Sequence, residues 1–124
     1  MEPVTFAVPG RPVAKLRCRQ GRGGRLYVPR RVKEYEEMLS WRARMAFDAP
    51  LEGEVALALR FYYRDRRATG DLDNCIKTVC DALNGVAYRD DRQVAAIRAE
   101  RVISALEEER VEITVRPLPA RRKK

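Results

Sequence analysis

Apolar and polar positions alternate in four stretches and recur at helical spacing in two others. Val4 to Val8 ("VTFAV") reads as a short strand ended by Pro9-Gly10. Glu54 to Tyr63 is a longer one. Val55, Leu57, Leu59, Phe61 and Tyr63 fall on one side and Ala56, Ala58, Arg60 and Tyr62 on the other. Both sides are fairly apolar, which predicts a central strand. Val94 to Ile103 and Arg110 to Arg116 complete the set. Arg101 interrupts the alternation of the former, and Val111, Ile113 and Val115 point inward in the latter. Between the strands, Val32, Tyr35, Met38/Leu39, Arg42/Ala43 and Ala46 repeat as a helix over about Arg30 to Phe47, stopped by Pro50 and Gly53. Leu72, Ile76, Val79 and Leu83 form the core stripe of a second helix, ended by Asn84-Gly85. The order β-α-β-α-β-β predicts an α/β (α+β) fold: a small mixed sheet with two main helices.

Residues 10–29 fit neither period. They are rich in Gly and Arg, bounded by Pro12 and Pro29, and read as a long basic loop with a hairpin around Gly21 to Gly24. Residues 1–116 are expected to form one domain, and 117–124 a basic tail after Pro117 and Pro119. At 124 residues the chain can bury a core without disulfides or a structural metal. It has neither a run long enough to span a membrane nor a signal-peptide pattern, and a cytoplasmic location is expected.

Composition narrows the chemistry. There is no histidine, so Ser–His and Cys–His nucleophilic catalysis are excluded. The three cysteines (Cys18, Cys75, Cys80) have no metal-ligand spacing and fit a reducing compartment as small, partly buried thiols. Net charge is +8, which points to a polyanion such as nucleic acid. Arg11, Lys15, Arg17, Arg19, Arg22, Arg25, Arg30 and Arg31 form a block without an acid. Lys15, Arg17, Arg19, Arg22 and Arg25 of that block, with Arg66 and Arg67 of the "RDRRATG" turn, are the candidate phosphate contacts. Tyr62, Tyr63 and Trp41 could stack on bases, although core packing suits Tyr63 and Trp41 better.

Against that background the acids of "GDLDNCIKTVCDALNG" (70–85) stand out. An ordinary helix accounts for them in part. Asp71 would be the N-cap, Asp73 would favour the dipole, and Asp73, Lys77 and Asp81 would make an i, i+4, i+8 ladder. Two carboxylates and an amide within four residues exceed that need, and Asp90-Asp91 follow in a loop that can fold back along the helix. Carboxylates gathered together repel, and a hard divalent cation reverses that cost. Such an ion can activate water and neutralise a phosphate, and Lys77, one turn after Asp73, is placed to stabilise developing charge.

"DLDN", Lys77, "DAL" and "DDRQV" together resemble the RusA family of Holliday junction endonucleases. Asp71, Asp73, Asn74, Lys77, Asp81, Leu83, Asp90, Asp91, Gln93 and Val94 carry the likeness. Lys15, Arg17, Arg19, Tyr27 and Pro29 resemble the basic element of its phage and Gram-positive branch, and the similarity runs over roughly residues 5 to 115. The resemblance implies a homodimer that makes paired, magnesium-dependent cuts in four-way DNA junctions, with manganese as a substitute ion. It implies Asp71, Asp73 and Asp91 as metal-binding carboxylates and Lys77 as an assisting residue. Asn74, Asp81 and Asp90 are expected around them, Asp81 paired with Lys77. A protein that binds branched DNA without cutting it, and a general structure-selective nuclease, are the competing readings.

Overall fold

The computed structural model describes residues 2–15, 19–20, 22–24, 26–27 and 29–120. Its strands are β1 (Val4–Pro9), β2 (Arg19–Gln20), β3 (Leu26–Tyr27), β4 (Val55–Tyr63), β5 (Val94–Ile103) and β6 (Arg110–Pro117). The helices are α1 (Arg30–Ala46) and α2 (Leu72–Leu83). The main sheet runs β1-β6-β4-β5, with β6 antiparallel to both β1 and β4, and β5 parallel to β4. β4 is therefore the inner strand that its two apolar faces predicted. A parallel neighbour needs a crossover, and α2 supplies it. β2 and β3 pair around a turn at 22–24, the expected hairpin.

One face of the sheet is covered by the helices. Val55, Leu57, Leu59, Phe61 and Tyr63 of β4 lie there, and Val8, Val111, Ile113 and Val115 join them in the core. Across from them α1 buries Val32, Tyr35, Leu39 and Ala43, and packs on both α2 and β1. Phe47, just past the end of α1, meets the Phe6 ring edge-on at 6.1 Å between centroids.

Each helix departs from the sequence reading at one point. Trp41 is 65% exposed, with Met45 beside it, because the buried stripe of α1 runs through Leu39 and Ala43 and leaves position 41 on the outer face. The stripe of α2 is rotated relative to the expected one. Cys75, Thr78, Val79, Ala82 and Leu83 are buried, while Leu72 and Ile76 lie only half-buried at its edge. Thr78 is accommodated because its hydroxyl donates to the Asn74 carbonyl one turn earlier, at 3.0 Å.

β5 is irregular for a definable reason. Val55 pairs with Val94 but Ala56 with Ala96, so Ala95 is an extra residue, a β-bulge. The slip turns Ile97, Ala99, Arg101 and Ile103 toward the helices, opposite Leu57, Leu59, Phe61 and Tyr63. An arginine thus stands on the covered side of an edge strand.

Candidate metal and phosphate site

α2 begins where three segments lock together. Tyr63, at the end of β4, donates its buried hydroxyl to the Thr69 carbonyl at 3.1 Å and lies 3.3 Å from the Cys75 sulfur. Burial pushes the Tyr63 phenol well above its ordinary range, and it raises the Cys75 thiol as well. Gly70 follows in a left-handed turn at φ +71°. A Cβ there would stand 2.5 Å from the Ala14 Cβ, so the turn and the basic loop fit together only because residue 70 has no side chain. The Lys15 amide then donates to the Asn74 carbonyl at 3.1 Å. Arg11 braces the same turn from outside. It pairs with Asp65 at 3.1 Å and with Glu109, donates to the Arg67 carbonyl, and stacks over Tyr63 at 5.1 Å from the ring centre.

Asp71 and Asp73 are presented on this platform. The helix-only explanation made two demands that the geometry does not meet. Asp71 occupies the N-cap position, yet its carboxylate makes no capping bond. Lys77 forms no ion pair among the described residues, so the expected ladder is absent. Asp81 instead pairs with Lys15, which also reaches Glu36 at 3.3 Å. The bond to Asp81 raises the Lys15 ammonium above its usual value, against the lowering effect of burial. The first lysine of the basic block is therefore turned inward, tying the loop to both helices. Asp73 accepts the adjacent Asn74 amide at 3.0 Å and makes no ion pair. Asp71 and Asp73 are thus both exposed and free of cationic partners among the described residues.

Asp90 and Asp91 have different surroundings. Asp90 caps a short 3-10 turn in a reciprocal box with Gln93, and the bond from the Arg92 amide holds its carboxyl below the usual range. Gln93 pins this loop. Its Oε1 accepts the Arg89 and Asp90 amides at 2.7 and 3.1 Å, and its Nε2 donates to the Leu51 and Gly53 carbonyls, each at 2.8 Å. The Asp91 carboxyl is raised, first by partial desolvation and then by Asp81 and Asp90. Cys80 close by is pushed up to about 11, by burial first and then by Asp91. Asp81 lies eight residues beyond Asp73, about 12 Å along the axis at 1.5 Å per residue. A groove of about 350 Å³ runs between α2 and β5, lined by Ile76, Lys77, Asp81, Asp91, Val94 and Ile97. Larger hollows on the open face of the sheet, around Ala58 and Thr114, are lined by Arg60, which pairs with Glu100, and by Arg98 and Arg116.

The two ends of α2 thus carry different acids. Asp71 and Asp73 sit at the start, and Asp91 with Asp81 toward the end. Among the described residues of one chain no group of three acids or cysteines is arranged to hold an ion. Two free carboxylates suit magnesium nonetheless, which is commonly held by one or two carboxylates with water and substrate phosphate filling the remaining positions. Of the candidate DNA contacts, Arg66 and Arg67 are exposed on the turn beside the site, Arg67 only loosely near Asp65 at 3.8 Å. Arg17 and Arg25, and the side chains of Arg19 and Arg22, lie outside the described residues. Sequence reasoning gave Tyr63, Gly70 and Arg101 no part in the site: Tyr63 is read as core, Gly70 only as the residue before "DLDN", and Arg101 as a break in an apolar alternation. Gln93 is read only as part of the family likeness, and its role in pinning the loop comes from the structure.

Fold and site define a small basic α+β protein with an acidic centre at a helix start and no histidine. Residues 9–116 match the family described as Endodeoxyribonuclease RusA, and the chain belongs to that family. It is also 28% identical over 144 aligned positions to the uncharacterized protein YqaN of Bacillus subtilis (strain 168), with 97% of this chain and 100% of that protein covered.

Proposed function

We propose that this protein is a magnesium-dependent endodeoxyribonuclease that resolves four-way DNA junctions by paired phosphodiester cuts. The observation that carries the reading is the pair Asp71 and Asp73, exposed beside a free Lys77 and without cationic partners among the described residues of a chain of net charge +8. Neighbouring carboxylates repel one another, and a bound divalent cation offsets that repulsion. Membership of the family supplies the substrate class.

In this reading Asp71 and Asp73 hold the ion. Asp91, which faces the other end of α2 within one chain, is proposed as the third ligand in the assembled dimer. The ion, when bound, would polarise the scissile phosphate and lower the pKa of its water. Lys77, one turn from Asp73, offsets charge growing on the phosphate or the leaving oxygen. Arg66 and Arg67 hold the flanking backbone by salt-dependent phosphate contacts. A junction presents two symmetry-related strands, so a two-fold dimer would place one acidic centre at each.

A labelled synthetic four-way junction, incubated with the protein with and without magnesium, tests this. The expected product is a pair of symmetric nicks that needs the metal. Binding without cutting at any magnesium concentration would contradict it, and equal cutting of flaps and single strands would replace junction resolution with general structure selectivity. Sedimentation at micromolar concentration should show a dimer.

A further inference from the structure

Arg101 stands where the β5 alternation calls for an apolar residue. It lies on the helix side of the sheet, opposite Phe61. One of its terminal nitrogens donates to the Gly70 carbonyl, the peptide group that leads into Asp71. Its Nε is buried and has no acceptor. Other part-buried arginines of this protein are matched by carboxylates: Arg11 by Asp65 and Glu109, Arg110 by Glu107 and Glu112. Arg101 has no such partner among the described residues. An arginine inserted into a covered sheet face and tied only to a backbone carbonyl is expensive to keep, and an unsatisfied buried N–H calls for an explanation.

We propose that Arg101 is a phosphate-binding residue of the site at the start of α2. The inference rests on the function proposed above and adds a residue to it. The bond to the Gly70 carbonyl fixes the guanidinium plane, so its remaining donors meet an incoming phosphate already oriented. A planar fork suits two oxygens of one phosphate better than an ammonium does. The carboxylates beside it stay free for the ion because Arg101 pairs with neither. The site then has a division of labour: Asp71 and Asp73 face the cation, and Arg101 and Lys77 face the phosphate.

The test compares wild type, Arg101→Gln and Arg101→Lys on a four-way junction. Single-turnover cleavage is measured at saturating protein, junction affinity with calcium in place of magnesium, and thermal stability alongside. Arg101→Gln should cut about 10²-fold more slowly or worse, with affinity and melting temperature close to wild type. Arg101→Lys should regain part of the loss, and it carries the comparison if the glutamine variant folds poorly. The decisive readout is a junction with a methylphosphonate at the cut position, which removes one phosphate oxygen charge. Wild type should lose rate on it and Arg101→Gln should lose little more, because the interaction is already gone. Near-normal cutting by Arg101→Gln, or independent losses that multiply, would overturn the inference while the proposed function stood. Wild type that never cuts the junction would overturn both.

Discussion

Gly70→Ala tests the platform beneath the acids. Two separate costs follow from the geometry. Residue 70 has φ +71°, a left-handed conformation that costs an L-residue about 1–2 kcal/mol. The new Cβ would stand 2.5 Å from the Ala14 Cβ, so the loop or the turn must move. Overpacking of that kind costs about 1–3 kcal/mol. The sum is about 2–5 kcal/mol, a large part of the roughly 5–15 kcal/mol that holds a domain of this kind together. At roughly 4 °C per kcal/mol for a chain of this size, the melting temperature should fall by about 8–20 °C. Urea unfolding gives the free energy directly, and the slope should not change. A second substitution separates the terms. Ala14→Gly in the Gly70→Ala background removes the clashing methyl but not the φ penalty. The double variant should therefore be about 1–3 kcal/mol more stable than the sum of the single effects. Gly70→Ala within about 0.5 kcal/mol of wild type, the range of an unremarkable surface change, would refute the reasoning. So would strict additivity in the double variant.

Three further outcomes follow from the same contacts. Gln93→Ala should cost about 1–3 kcal/mol, chiefly through the abandoned part-buried Leu51 carbonyl, and hydrogen exchange at residues 89–93 should speed up. Asp65 has a folded pKa held below its unfolded value, mainly by the Arg67 amide and then by Arg11. Its contribution is present above the unfolded pKa and is lost as pH falls through the folded one. Asp65→Asn should therefore lower stability at neutral pH and flatten the decline measured by urea unfolding below about pH 4. Trp41→Ser should change stability by no more than about 0.5 kcal/mol, where a core tryptophan would cost several. The wild-type fluorescence should be that of a water-exposed indole, since Trp41 is the chain's single tryptophan.

Much of the fold could be read from the chain because period-2 and period-3.6 patterns coincide with burial. β4 announced itself as a central strand through apolar residues on both faces, and the pairing with β5 and β6 agrees. Where the pattern failed, tertiary geometry had intervened. Ala95 adds a bulge that no local signal marks, and it alone turns Ile97 and Arg101 toward the helices. Core packing is the preferred sequence reading for Trp41, yet helical phase governs and puts it outside. At the site, the identity of the acids was legible and their pairing was not. Asp81 and Lys77 are one turn apart, but Lys15, distant in sequence, takes Asp81 because the loop docks on α2. Asp90 is expected among the groups around the ligands from its place beside Asp91, and its carboxylate is occupied in a cap that needs Gln93.

The central claim is that Asp73 binds metal and does not merely favour the dipole of α2. Asp73→Asn keeps the size of the side chain and removes the charge. Cleavage rate and junction affinity should be measured on the same folded variant. If Asp73 holds the ion, cutting falls by several orders of magnitude while junction binding survives or tightens slightly, because a charge that repels phosphate has gone. If it serves the helix alone, the change costs about 0.3–1 kcal/mol of stability, and near-normal cutting by Asp73→Asn would contradict the account.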